Sequence, residues 1–313
     1  YFESVNRNKR SIALDLREST DLHRAHRLAA QADIVIENFR VGALDKFSLD
    51  YATVSESNPK VVYCSISGFG SKEGKDLPGY DLLIQAMGGL MSITGTDAPS
   101  KVGVALVDVL TGLHASNSIL AAIVERTHSG IGQHLEVNLL SVLLSSMVNQ
   151  SSAYVLGGVT PQRMGNAHPS ICPYEVFDCA DRPLVIAVGN DTQFANLCSV
   201  LGITELASDS RYSTNPNRVA HRTSLRSELN QVLGTATVNY WHTELGKQGV
   251  PCGPINSIPE AFELAEQLGL EPVHHGMVSN PVNFSRTPVD YQLAPPDLGN
   301  ATSEVVTQFS LDD

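Results

Sequence analysis

Cysteine is scarce in this chain. Five occur in 313 residues, at 64, 172, 179, 198 and 252. The number is odd, the spacing is scattered and no C-x-x-C occurs. That argues against a disulfide frame or a thiolate zinc site and fits a reducing compartment. Positive charge is also in deficit: 21 Lys and Arg face 33 Asp and Glu, for a net charge of −12. Nucleic acid, which demands a basic footprint, is not an expected partner. No apolar run reaches the ~18–20 residues of a membrane helix, so no membrane is expected either. Asn149, Asn190, Asn283 and Asn300 head N-x-S/T triplets, but no signal-peptide pattern accompanies them. The expected location is cytoplasmic, or the mitochondrial matrix if the source is eukaryotic.

Several catalytic signatures are missing as well. There is no G-x-x-x-x-G-K-[S/T] for phosphoryl transfer and no G-x-G-x-x-G after a strand. His23, His26 and the pair His274-His275 lack the H-E-x-x-H spacing, so no metal is expected. Cys64-Ser65-Ile66-Ser67-Gly68 resembles a nucleophile elbow without its leading glycine, and no partner pattern of Asp and His follows it.

What is present is ample core material, with 42% hydrophobic residues, and a length that suits two domains. Ser11–Leu16, Asp33–Asn38 and Lys60–Ile66 read as strands. Helical spacing at 19–32 and 48–57 separates them. This order predicts parallel βαβ units. Further helices are expected at 80–91, 111–127 and 139–155. Gly, Pro, Asn and Ser cluster near 157–173, as in a linker. Beyond it, a strand pair surrounds the turn at 179–183. Helices are expected at 193–201, 222–233 and 239–246, and Gly249–Pro254 reads as a rigid turn. The expected division is a large domain over 1–150, a linker over 151–171, a small α+β domain over 172–262, and a linker and return segment over 263–313.

Asp108 stands out. The strand-like run Val104-Ala105-Leu106-Val107 ends in this lone carboxylate, and a helix follows. Open α/β sheets place their ligands at such a strand end, although Asp is also a preferred helix cap. Basic residues at 7, 9, 10, 17, 40 and 46 fall near the ends of neighbouring strands. Together they could frame a polyphosphate.

Several stretches together resemble the class III CoA-transferases, of the formyl-CoA and carnitine CoA-transferase type. They are Ser4–Leu16, Glu37-Asn38-Phe39-Arg40, Cys64–Gly70, Gly79-Tyr80-Asp81, Val107–Gly112 and Gly249–Pro254, in family order over nearly the whole chain. Gly165–Ile171 and Tyr212–Asn215 look most like the succinyl-CoA:glutarate branch.

The resemblance implies a doubly wound, mostly parallel, Rossmann-like CoA domain beside the small domain, in an interlocked homodimer. It implies CoA and acyl-CoA as substrates, and a carboxylic or dicarboxylic acid as acceptor. Asp108 would be the nucleophile, passing through an aspartyl anhydride and an aspartyl-CoA thioester. By position, Leu14, Asp15, Leu16, Arg17, Asn38, Phe39, Arg40, Lys46, Pro78, Gly79, Tyr80 and Asp81 match the family's CoA contacts. Gly165, Asn166 and His168 are candidates for the acyl pocket. Arg163 or Arg218 could take a second carboxylate.

Two departures accompany the resemblance. The family's opening βα unit and its C-terminal helix are both expected to be missing from this chain. The alternative activity is α-methylacyl-CoA racemisation, which needs a His–Asp acid–base pair. The racemase histidine would sit at Tyr80, a poor base at neutral pH. A non-catalytic dimerising remnant is the third reading.

Overall fold

A computed structural model describes residues 1–312. They form two compact units: one from Tyr1–Thr94, Pro99–Gln162 and the segment from Asn280 onward, the other from Gly95–Ala98 and Arg163–Ser279.

The first unit opens with the one-turn helix α1 (Phe2–Val5). Then α2 (Ser19–Gln31), β1 (Ile34–Glu37), α3 (Tyr51–Ser57) and β2 (Val62–Ser67) alternate, as the sequence pattern predicts. Next come α4 (Asp81–Met87), α5 (Leu90–Ile93), α6 (Leu106–Ser129), β3 (Gln133–Asn138), α7 (Leu139–Ser146) and α8 (Val148–Gly157). The three strands form one parallel sheet in the order β1-β2-β3, with Cys64 opposite both Ile36 and Leu135. Side chains alternate across a strand. Val62 and Cys64 therefore pack on Ala115, Ile119 and Ala122 of α6, while Val61 and Tyr63 face Val54 of α3 and Ala29 of α2.

Five local expectations are corrected. Ser11–Leu16 is not a strand. Its backbone is taken up elsewhere: Ser11 O accepts from Ala301 N (3.0 Å), and Ala13 N donates to Thr302 Oγ1 (3.0 Å). Val104–Val107 is not a strand either, because the long helix α6 already begins at Leu106. A short apolar run fits strand and helix alike, and here the helix propagates through it. The helix expected at 80–91 is broken at Gly88-Gly89, with Gly89 left-handed at φ 89°. The helix expected at 139–155 is two, bent by 83° between α7 and α8. Finally, the tail does form a helix, α15 (Thr302–Gln308). Ala301, Val305 and Leu311 bury themselves beside Ile12 and Leu28 there.

By length and composition α6 matches a membrane span, contrary to the sequence reading. Its residues Val107, Thr111, Ala115, Ile119 and Ala122 are buried at the spacing of a core helix.

The second unit is built on an antiparallel sheet, β4 (Tyr174–Asp178), β5 (Pro183–Ala187) and β6 (Cys252–Pro254). The β4–β5 pair matches the expected hairpin, and the expected rigid turn at 249–254 contributes β6. Helices α9 (Asp191–Leu201), α10 (Glu205–Ser208), α11 (Asn215–Ala220), α12 (Arg222–Leu233), α13 (Val238–Lys247) and α14 (Ile258–Gln267) surround it. A small hairpin, β7 (Val273–His274) and β8 (Met277–Val278), follows. Phe177, Leu184, Ile186, Phe194, Leu197, Leu225, Leu229 and Trp241 form the core. Each such side chain contributes roughly 1.5–3 kcal/mol on burial.

Candidate active site

Gly68 follows β2 and Gly79 precedes α4. A Cβ built on Gly79 would lie 2.5 Å from the Gly68 Cα, and one on Gly68 would strike the Gly79 Cα in turn. Two glycines let these loops cross backbone to backbone, which sets Tyr80 and Asp81 at the start of α4.

Asp81 then reaches across to α6. Its Oδ1 accepts from Val107 N (2.8 Å) and Asp108 N (3.3 Å). Its Oδ2 accepts from Gln85 Nε2 (2.7 Å). Gln85 is fully buried, and its carbonyl oxygen accepts from Val102 N (2.9 Å). The residue before α6 is Ala105, which offers no side-chain cap. A carboxylate from a neighbouring helix supplies the missing acceptor, satisfying two of the N–H groups that a helix leaves open at its start. Asp108 is thus not the cap of its own helix. It sits in the first turn.

This arrangement shapes Asp108 electrostatically. A helix start ordinarily favours a carboxylate. Here Asp81 has taken the nearest N–H groups and faces Asp108 with like charge. Desolvation pushes the Asp108 carboxyl above its ordinary range, and the Asp81 charge adds to the effect. Among the described residues no hydrogen bond or cation engages the Asp108 carboxylate.

That carboxylate opens onto a cleft of about 820 Å³. Asn38, Phe39, Arg40, Pro78, Gly79, Tyr80 and Asp81 line the same cleft, together with Lys75, Asp76, Thr111 and Gly112. Seven of the twelve residues expected to contact CoA are therefore gathered around Asp108. Phe39 and Tyr80 are exposed, at 60% and 71%. Arg40 Nη2 donates to Asp76 Oδ1 (2.7 Å), and the Arg40 guanidinium holds the Asp76 carboxyl below its usual range. Arg40 and Lys75 are the cations at this cleft.

The other five are placed elsewhere. Leu14, Asp15, Leu16, Arg17 and Lys46 do not line the cleft. Arg17 clasps Asp15 (Nη2–Oδ2 2.6 Å) and holds its carboxyl down at about 2. Lys46 lies over the Phe47 ring, 4.7 Å from the centroid. Gly165, Asn166 and His168 belong to the second unit. There the His168 ring sits 5.3 Å from Tyr174, and its backbone N donates to Tyr174 O (3.0 Å). Arg218 has a structural task in that unit. It is 1% exposed and donates to Cys172 O, Tyr212 O and Asp191 Oδ1 at 2.7–2.9 Å.

The sequence reading missed Gln85, Lys75, Asp76 and Thr111. Placing Asp108 at a strand end hid the one-turn spacing that puts Thr111 beside it. Ser65 also has an unforeseen partner, His134 Nε2 at 2.9 Å. This pair lies within β2 and β3 rather than on a strand-to-helix turn, so it lacks elbow geometry. No group of three His, Cys, Asp or Glu that could hold a metal occurs among the described residues.

A model of CoA-transferase family III matches residues 1–302. The chain belongs to that family. It is 41% identical to the succinate–glutarate CoA-transferase of Agrobacterium fabrum over 99% of this chain and 80% of that protein. Its identity with the mouse succinyl-CoA:glutarate CoA-transferase is 35%, over 98% of this chain and 73% of that one. The crystal structure of a CAIB/BAIF family protein from Brucella suis superposes with a TM-score of 0.87 and 38% identity, covering 99% of this chain and 84% of that one. The protein is an enzyme that transfers CoA.

Proposed function

We propose that this transferase moves CoA from an acyl-CoA to a dicarboxylic acid, with Asp108 as the covalent nucleophile. The observation that carries the reading is the Asp108 carboxylate itself. It is unpaired among the described residues, raised in basicity, and open to a cleft large enough for a CoA arm. A more basic carboxylate is a stronger nucleophile toward an activated acyl group.

Asp108 attacks the thioester carbonyl carbon. A C–O bond forms, the C–S bond breaks, and CoA thiolate departs. The thiolate then attacks Cγ of Asp108 in the mixed anhydride. That step releases the donor acid and leaves an aspartyl-CoA thioester. The acceptor carboxylate attacks the same Cγ, and the two steps run in reverse. The starting acyl-CoA and the product acyl-CoA are thioesters of similar energy and no acyl bond is lost to water between them, so no ATP is consumed. Arg40 and Lys75 suit the phosphates of CoA, and Phe39 suits its adenine. Dicarboxylates are the substrate class that the relatives' names support.

The proposal extends to the assembly. A doubly wound large domain and an interlocked homodimer follow from the family resemblance. The exposed apolar side chains Val148, Tyr154, Val155 and Leu156 on α8 support a covered surface there. Sedimentation velocity tests the dimer, and a monomer at micromolar concentration would overturn it.

The chemical test uses succinyl-CoA and hydroxylamine. Peptide mapping by mass should find a hydroxamate on Asp108. Transfer to glutarate with no label at Asp108 would sink the mechanism.

A further inference from the structure

Among the described residues that line the cleft, Thr111 is the one whose polar side-chain atom, Oγ1, is buried without a hydrogen-bond partner. It is 2% exposed. A helical Thr ordinarily returns its hydroxyl to a carbonyl one turn back. A buried hydroxyl left unpaired destabilises the fold, so its retention in a close-packed helix calls for a reason. Thr111 lies three residues after Asp108 on α6. Residues at that spacing share a helix face, and side chains lean toward the helix start, here toward Asp108. Both line the 820 Å³ cleft.

The proposed chemistry has a demand that these positions meet. When Asp108 attacks the thioester, negative charge develops on the substrate's carbonyl oxygen. In the next step the charge moves. CoA thiolate attacks Cγ of Asp108, the S–C bond forms, and the electron pair goes onto the aspartyl oxygen. The pair then returns as the anhydride C–O bond breaks and the donor carboxylate leaves. The acceptor acid's attack on the aspartyl thioester repeats this. An oxyanion on the enzyme's own side chain is best served by a donor fixed beside that side chain. The helix-start N–H groups nearest Asp108 are held by Asp81. A hydroxyl too buried to meet a diffusing ligand can still meet a carbonyl carried on its own helix face.

We infer that the Thr111 hydroxyl is the hydrogen-bond donor for the oxyanion formed on Asp108, and so a catalytic residue for the steps after CoA departs. The inference rests on Asp108 being the nucleophile.

The test compares Thr111→Val with Thr111→Ser, using succinyl-CoA as donor and glutarate as acceptor. Val keeps the shape and removes the donor. Its kcat should fall about a hundredfold, as for the loss of one oxyanion donor, with KM for succinyl-CoA little changed and thermal stability at or above the wild type's. Ser should restore most of the rate. Acid quench and intact-protein mass separate the succinyl adduct from the CoA adduct. In Thr111→Val the succinyl adduct should form at the wild-type rate and accumulate, while the CoA adduct is delayed. If Val is insoluble, Thr111→Ala carries the same readouts. Wild-type kcat in the hydroxyl-free variant overturns the inference, as does equal slowing of both adducts. In either case a wild-type adduct on Asp108 leaves the proposed mechanism standing. Absence of any adduct in the wild type overturns both.

Discussion

Gly68 and Gly79 meet backbone against backbone, so that a Cβ on Gly79 would stand 2.5 Å from the Gly68 Cα. Neither loop can retreat freely. One leaves the central strand β2 and the other leads into α4, whose Asp81 caps α6. Gly68→Ala and Gly79→Ala are each expected to destabilise the first unit by about 1–3 kcal/mol, the range for overpacking a close contact. They should also weaken acyl-CoA binding, because Tyr80 and Asp81 shift with the loop. Urea denaturation and KM measurements check this. Wild-type stability in both variants would show that the loops yield more easily than their backbone contact implies.

Arg40 gives a prediction of the opposite kind. Its ion pair with Asp76 is exposed on both sides, at 73% and 67%, and such pairs hold little of a fold together. If Arg40 instead exchanges Asp76 for a CoA phosphate, Arg40→Ala should leave thermal stability unchanged. It should raise KM for acyl-CoA about tenfold, as expected for one charge-assisted contact, with kcat nearly unaffected. Asp76→Ala should do the reverse and lower KM slightly, because the competing carboxylate is gone. An unchanged KM in Arg40→Ala would remove this residue from the CoA site.

How far the sequence was legible follows from the range of the forces involved. The strands Ile34–Glu37 and Val62–Ser67 and the helix Arg222–Leu233 were readable because their apolar spacing is local and matches one period. Ser11–Leu16 alternates as a strand would but bonds to residues 299–302, nearly 290 residues away. No local pattern announces that partner. The start of α6 was misread for a related reason. Its cap comes from Asp81, 26 residues earlier, and not from a residue at the helix boundary. Asp108, Phe39 and Arg40 were singled out through their motifs, and they line one cleft. Gln85 and Thr111 were not, since a polar residue inside an apolar helix declares its role only when its neighbours in space are known.

Arg218 was read from sequence as a possible carboxylate receptor, and its environment predicts something else. Its guanidinium lies 4.5 Å from the Phe194 ring and serves two backbone carbonyls as well as Asp191. Removing it strands buried acceptors in the core of the second unit. Arg218→Met is expected to cost about 3 kcal/mol or more, as for breaking a buried charged network. Arg218→Lys should fail as well, because an ammonium cannot present the same planar fork. Chemical denaturation decides the matter. A stable Arg218→Met variant with raised KM for the acceptor acid would return the residue to the substrate site.

Asp108 itself allows a test in which function and stability move in opposite directions. Burial and the Asp81 charge raise its carboxyl above the ordinary value of 3.8, so the folded protein binds this proton more tightly than the unfolded chain does. By linkage, the contribution is fully present below 3.8 and is lost as pH rises through the folded value. Above both values the ionised carboxylate opposes folding by a constant amount. Asp108→Asn keeps the shape and cannot ionise. It should abolish CoA transfer yet show a higher urea midpoint than the wild type at neutral pH. The gap should narrow as pH falls toward 3.8, where wild-type Asp108 becomes protonated and resembles the amide. A folded Asp108→Asn protein no more stable than wild type at neutral pH would mean that the carboxylate is not strained in place. The raised basicity assigned to the nucleophile would then have to come from the bound substrate instead.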